Sequence, residues 1–431
     1  MPERPPLRSA NARTARTFCC ALALVFLFAI PVSANSVLAN DGWIVDRRRD
    51  PFPSEASHLV LPLPYSIPGV GSGLGVVLYE TNHVFPHRAY FVALGGDVEA
   101  RFASLEQVQL VERRLLLDLL AANVSRYQAR SYTFRGMEAG STDYRLLEFT
   151  KYDYYAPQLT LTYWERRLEL YTQAAQSGAR LERVRDRSGR AIGSFTEPQT
   201  SFTRQYRGGV RIDLTDEYYD PRKGVRLNTE YNDTPRQSPF VADFYTVDTR
   251  ISGYLPVGQR STWAFHAFQS DAIVRKTGDT RRSVLNLIDD PGCSDSNCLA
   301  TRDALVNNDL AANRYGTATT LGGDTFLRGY PADRFKGAHT LYVSTELRIN
   351  LTEEATPFDY VFFRDVRTGF QIAPFYEAGS VSETERSLGS RWKDDAGVGF
   401  RLVTASGSVY RVDIAVGSEG VVPTLTVFYP W

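Results

Sequence analysis

Histidine is scarce in this chain. None of the five, His58, His83, His87, His266 and His339, belongs to a convincing Ser/His/Asp set. Hydrolysis needs a nucleophile with a base and an orienting acid beside it, so a catalytic reading has little to stand on, and no cofactor or metal is expected. A charge bias is also missing. Lys+Arg and Asp+Glu are equal at 49 each, which gives no support to a nucleic-acid partner, whose binders usually carry a basic excess. Beyond residue 30 no apolar run approaches the ~20 residues that a helical membrane span requires. Methionine is nearly absent, with two residues, whereas tyrosine and phenylalanine number 24 each beside 32 glycines. Aromatics suit a pleated surface, and glycine serves turns and bulges.

The N-terminus reads as an export signal. Arg4, Arg8, Arg13 and Arg16 precede the short apolar run Phe18 to Ile30, and "VSA" (32–34) and "VLA" (37–39) both fit a small-x-small cleavage rule. The expected division is a signal peptide over 1–39, a short periplasmic segment over 40–57 and a main domain over 58–431. An uncleaved anchor is the alternative, but the run is short for a span. Cys19 and Cys20 would leave with the signal. Cys293 and Cys298, with four residues between them, then favour a local loop disulfide in an oxidising compartment. Metal binding is the alternative, without a second Cys or His pair nearby.

What the sequence does contain is long period-two alternation. In "TLYVSTELRINL" (340–351), Leu341, Val343, Thr345, Leu347, Ile349 and Leu351 face one side, and Thr340, Tyr342, Ser344, Glu346, Arg348 and Asn350 the other. "SVYRVDIAVG", "GVRLNTEY", "GVRIDL" and "FYTVDTRIS" repeat the pattern. Ordinary strands have about five or six residues, and a membrane-spanning strand roughly nine to eleven. Long strands, one face apolar and the other carrying charges of both signs, suit a transmembrane antiparallel β-barrel with a wet lumen. Closure satisfies every backbone group, as lipid demands.

Short turns such as "PVGQ" (256–259) and "ASGS" (405–408) alternate with long connections, the longest roughly 276–338. Strands are expected near 203–216, 224–234, 241–255, 260–275, 339–352, 367–380, 394–404, 409–417 and 423–431, with about seven more over 58–200, sixteen in all. Residues 111–124 fit helix or strand by periodicity alone. In the last strand, Tyr429 and Trp431 continue the face of Leu425 and Val427, which would place both aromatics at a membrane interface.

Between two such strands lies "LGGDTFLRGY" (321–330). With "DEYYDPRKG" (216–224), "TELR" (345–348), "PFYEAGSV" (374–381), "DAGVGFRL" (395–402) and "YRVDIAVG" (410–417) following the family's order, the chain resembles the Omp85 superfamily of outer-membrane assembly and secretion barrels. The match is good over 205–431 and weak over 58–204. The resemblance implies that the long loop folds back into the barrel, that Gly322, Gly323, Leu327, Arg328, Gly329 and Tyr330 form its motif, and that Arg328 meets an acidic wall. The inward phase supplies Glu377, with Glu346 nearby, and Glu377 stands where the family has Asp. Exchanging the charges of Arg328 and Glu377 should then partly rescue either single change.

Family members carry periplasmic POTRA repeats before the barrel. Roughly 20–35 residues between cleavage and the first strand are too few for one, which resembles a short, POTRA-less branch. The resemblance implies a Gram-negative outer-membrane protein that assists insertion or translocation of polypeptide clients, with membrane lipid and a client or periplasmic accessory protein as partners. The alternative is a passive pore or structural barrel plugged by its own loop.

Overall fold

The computed structural model describes residues 50–52, 56–67, 71–236, 238–288, 296–352, 358–360, 363–366, 368–404, 409–427 and 429–431. The signal peptide, most of the 40–57 segment, the "ASGS" turn and the Cys293–Cys298 pairing lie outside the described residues.

The chain builds one all-β antiparallel sheet. Its strands are β1 (Ser57–Ile67), β2 (Gly71–Thr81), β3 (Arg88–Gly96), β4 (Glu99–Val111), β5 (Leu115–Tyr132), β6 (Tyr144–Tyr163), β7 (Leu168–Arg185), β8 (Ala191–Asp213), β9 (Gly224–Thr234), β10 (Asp243–Val257), β11 (Ser261–Lys276), β12 (His339–Asn350), β13 (Phe358–Tyr360), β14 (Phe363–Val366), β15 (Thr368–Ser382), β16 (Lys393–Thr404), β17 (Val409–Gly417) and β18 (Gly420–Val427). Sixteen of these are long, and each pairs with its long neighbours in chain order, β12 joining β15 directly. The ambiguous stretch 111–124 resolves as strand. A tight turn at residues 112–114, with Arg113 at φ 53°, divides it between β4 and β5.

Two features were not expected. The short strands β13 and β14 pair with each other, and β14 pairs with the start of β1 through His58↔Arg364 and Leu59↔Phe363. The long 277–338 connection carries two helices, α1 (Arg282–Ile288) and α2 (Ser296–Tyr315). Among the described residues no helix is long and apolar enough to cross a membrane.

The sheet is polar inside and apolar outside. Along β12 the side chains of Thr340, Tyr342, Glu346 and Arg348 are buried, while Val343 on the opposite face is exposed. Along β6, Thr160 and Thr162 are buried, and Leu159, Leu161 and Tyr163 exposed. Leu74, Val210, Phe370, Phe400 and Ile414 are likewise exposed on other strands. In water such an outer surface would be a large aggregation-prone patch; in lipid it is the favoured one. The strands differ in height. β5 to β8 run for 18, 20, 18 and 23 residues, against 9 and 8 for β17 and β18.

The first and last strands of the sheet come close. Cα atoms of β1 and β18 come within 8 Å, but no ladder joins them among the described residues. Instead Tyr410, on the face of β17 that carries Val412 and Ile414, is buried against Leu59, Val77, Tyr79 and Tyr90 of β1–β3, with Leu402 of β16 alongside.

Candidate functional site

The segment 321–337 lies inside the sheet. A bridge between Leu321 and Phe335 closes its base, and Leu321, Phe326, Leu327, Tyr330 and Phe335 form an apolar cluster with Phe268, Tyr342 and Val381 of the wall. This small core gives the loop its own driving force for burial. The glycines serve close approach. Gly322 sits at φ +106°, and a Cβ there would fall 2.1 Å from Pro331 O; a Cβ on Gly329 would fall 2.6 Å from Asp395 Cβ. Leu327 also adopts a positive φ, 53°, with its side chain fully buried. A non-glycine residue there is strained, and its apolar contacts hold it.

Arg328 is completely buried. Its Nε donates to Glu377 Oε1 at 2.7 Å and its backbone N–H to Glu377 Oε2 at 2.8 Å. Nη1 donates to Asp413 Oδ2 at 2.8 Å, and Nη2 lies 3.6 Å from Glu346 Oε2. The guanidinium carbon sits 3.4 Å from the centre of the Phe375 ring. Burial opposes the charge of Arg328, but Glu377, Asp413 and Glu346 more than offset it, raising its pKa above the ordinary value. The planar fork makes this possible, since Nε and Nη1 each donate to a different carboxylate while Nη2 faces Glu346 without a hydrogen bond.

The neighbouring residues extend the network. Tyr342 Oη donates to Glu377 Oε1 at 2.7 Å, Gly329 N–H to Asp395 Oδ2 at 2.9 Å, and Tyr330 Oη to Asp394 O at 3.0 Å. Glu346 accepts from Arg348 Nε at 2.8 Å and from both terminal nitrogens of Arg401, of which Nη1 lies at 2.6 Å. Arg411 donates to Asp413 Oδ2 at 2.9 Å and to Asp324 O at 2.7 Å. Four arginines and four acids thus lock the loop to β12, β15, β16 and β17. The structure brings Arg328 to Glu377 directly, with Glu346 farther off. Sequence reasoning missed Asp413 and Asp395 as partners. The signal for Asp413 was its place on the charged face of β17.

A second insertion enters from the opposite end of the strands. The β8–β9 turn, residues 214–223, puts Tyr218 beside Arg166, whose Nη2 donates to its hydroxyl at 2.8 Å; Arg211 Nη1 donates to the same oxygen, and that hydroxyl donates to Glu169 at 3.1 Å. Burial pushes the Tyr218 phenol up to about 12, although Arg166 and Arg211 pull the other way. Tyr219 packs its ring 4.5 Å from the Arg88 guanidinium. Asp220 accepts from Tyr429 Oη at 2.5 Å.

That contact corrects the reading of the C-terminus. β18 ends at Val427, and Tyr429 and Trp431 turn into the interior instead of facing lipid. Tyr429 lies 3.9 Å from the Arg348 guanidinium, and Trp431 stacks on His266 at 4.9 Å and 9°. Period-two counting through 431 fails because Pro430 has no N–H to give a ladder and because buried cations attract both rings.

The sequence matches no family model and no curated protein. Solved structures do resemble the chain. CdiB from Escherichia coli superposes with a TM-score of 0.50 at 12% identity, over 87% of this chain and 62% of that one. BamA from Haemophilus ducreyi lacking POTRA domains 1–3 gives 0.47 at 12%, over 88% and 70%. CdiB from Acinetobacter baumannii gives 0.46 at 11%, over 86% and 59%. The chain thus spans roughly three fifths to two thirds of the length of these structures. At such identity the likeness is one of fold alone.

Proposed function

We propose that this chain is a closed sixteen-strand barrel of the bacterial outer membrane, of the Omp85 type, which assists insertion or translocation of polypeptide clients. The observation that carries the reading is the pair formed by a locked lumen loop and an unladdered seam. Arg328 ties the loop to β15 and β17 close to the last strand, while β1 and β18 meet without hydrogen bonds among the described residues. A fixed interior beside a weak edge suits a barrel that works by parting at its seam, since little backbone bonding is lost when it opens. The apolar outer face supports residence in lipid. The proposal includes export through the 1–39 signal and a mechanical rather than chemical role, with the client or an accessory protein as partner.

Depletion of the protein in its host, followed by quantitative composition of the outer membrane, tests this reading. Selective loss of one class of outer-membrane or secreted protein is the expected result. An unchanged envelope with altered small-solute uptake would instead favour a passive pore, a reading supported by the polar interior. A pore also predicts steady conductance in planar bilayers, enlarged by deleting 323–337.

A further inference from the structure

Beneath the locked loop, between the β8–β9 turn and the C-terminal residues, lies a cavity of about 300 Å³. Its wall includes Arg211, Arg226, Arg250, Tyr254, His266 and Trp431. No acid lines it. Arg211 and Arg226 are answered from behind, by Glu169 at 2.8 Å and Asp213 at 3.0 Å. Arg250 is different. Its nearest acid among the described residues is Asp248, at 4.0 Å, beyond hydrogen-bonding distance, while its guanidinium lies 5.2 Å from the Phe268 ring and its side chain is 32% exposed; both oxygens of the Asp248 carboxylate accept from Ser270 and Thr319. With its amide turned to suit its neighbours, Asn228 offers Arg250 one contact at 3.3 Å. A guanidinium carries five donors, so most of them stay open.

Other polar atoms around the cavity are also open. Arg226 Nε and Trp431 Nε1 are buried and make no hydrogen bond, and neither does His266 Nε2, although Ser252 holds its Nδ1 at 2.9 Å. Buried polar atoms without partners are costly, and the N–H donors Arg226 Nε and Trp431 Nε1 beside one cavity suit a ligand that accepts hydrogen bonds. The stacked His266–Trp431 pair and Tyr254 supply flat apolar walls of the kind that hold a ring. The volume is at the lower end of small-molecule sites.

We propose that this cavity binds a small organic anion, a carboxylate or phosphate monoester carried on a flat apolar body. The anionic head faces Arg250 and Arg226, and the body lies against Trp431 and Tyr254. This is independent of any role in handling polypeptides.

Calorimetric titration of the full chain in detergent micelles with phenyl phosphate tests the proposal, with benzyl alcohol as the neutral counterpart. Phenyl phosphate is expected to give saturable binding that weakens as sodium chloride is raised, and benzyl alcohol to bind at least about tenfold more weakly, the change that accompanies loss of one charge-assisted hydrogen bond. Arg250→Met, which keeps the apolar stem, should weaken phenyl phosphate by about the same factor. Arg236→Met, in the exposed β9–β10 turn, should leave it unchanged. Absence of saturable binding at millimolar concentration, or equal binding of the neutral compound, overturns the proposal on the unmodified chain even where Arg250→Met does not fold. Unchanged binding by folded Arg250→Met overturns it as well.

Discussion

Arg328 and Arg250 are inward-facing arginines of one molecule, in opposite states. Arg328 is fully buried and ion-paired, with acids on β12, β15 and β17 converging on one guanidinium and an aromatic ring beneath it. Arg250 lines open space with one weak acceptor. Burying a charge is favourable only where opposite charges meet it, so Arg328 is held by its acids, whereas Arg250, 32% exposed, keeps contact with solvent. The difference is one of backbone. Arg328 rides on a loop that its own apolar cluster presses against the wall, which brings the charge to acids already fixed on strands. Arg250 stands on a strand whose acids serve other groups.

The comparison makes graded predictions. The largest effect belongs to Arg328→Ala, which strands Glu377 and Asp413 in the interior; a loss of about 3–5 kcal/mol is expected, read from urea unfolding in lipid vesicles. A loss below that of an exposed arginine would break the comparison. Asp413→Asn removes one charged partner and should lower stability by about 1.5–3 kcal/mol in the same assay. Gly329→Ala forces a Cβ against Asp395 and should cost about 1–3 kcal/mol, with proteolysis of the 321–337 loop as a second readout. Tyr218→Phe, at the opposite end, removes one hydroxyl shared by two arginines and Glu169. Its expected cost, about 1 kcal/mol, is the smallest, and a cost matching that of Arg328→Ala would mean that the turn, rather than the loop, holds the interior together.

The geometry also changes one expectation. Exchanging Arg328 and Glu377 would place a carboxylate at 328 beside Asp413 and Glu346, so the exchange should not rescue. A pair can be swapped; a cation shared by three acids cannot.

Much of this was legible in the sequence because a two-sided strand writes its environment into every second residue. The bounds of β9 and β17 follow directly from the alternation, and those of β10, β11, β12 and β16 within two residues. Arg328 and Glu377 were legible through phase together with the loop resemblance. What could not be read has a common cause. The helices α1 and α2, the β13–β14 pairing, the inward turn of Tyr429 and Trp431, and the tyrosine packing at the seam depend on contacts between residues far apart in the chain, which leave no periodic trace. Asp395 is intermediate. Its strand was foreseen, but its hydrogen bond to Gly329 N–H depends on how deeply the loop descends.

The central claim is that the loop is locked through Arg328, and a double-mutant cycle measures it most directly. Arg328→Met, Glu377→Gln and the double variant would be unfolded by urea in lipid vesicles. The lock predicts a coupling of about 1.5–3 kcal/mol between the two positions, the range for a buried charge-assisted contact. Additive losses, with no coupling beyond error, would contradict it.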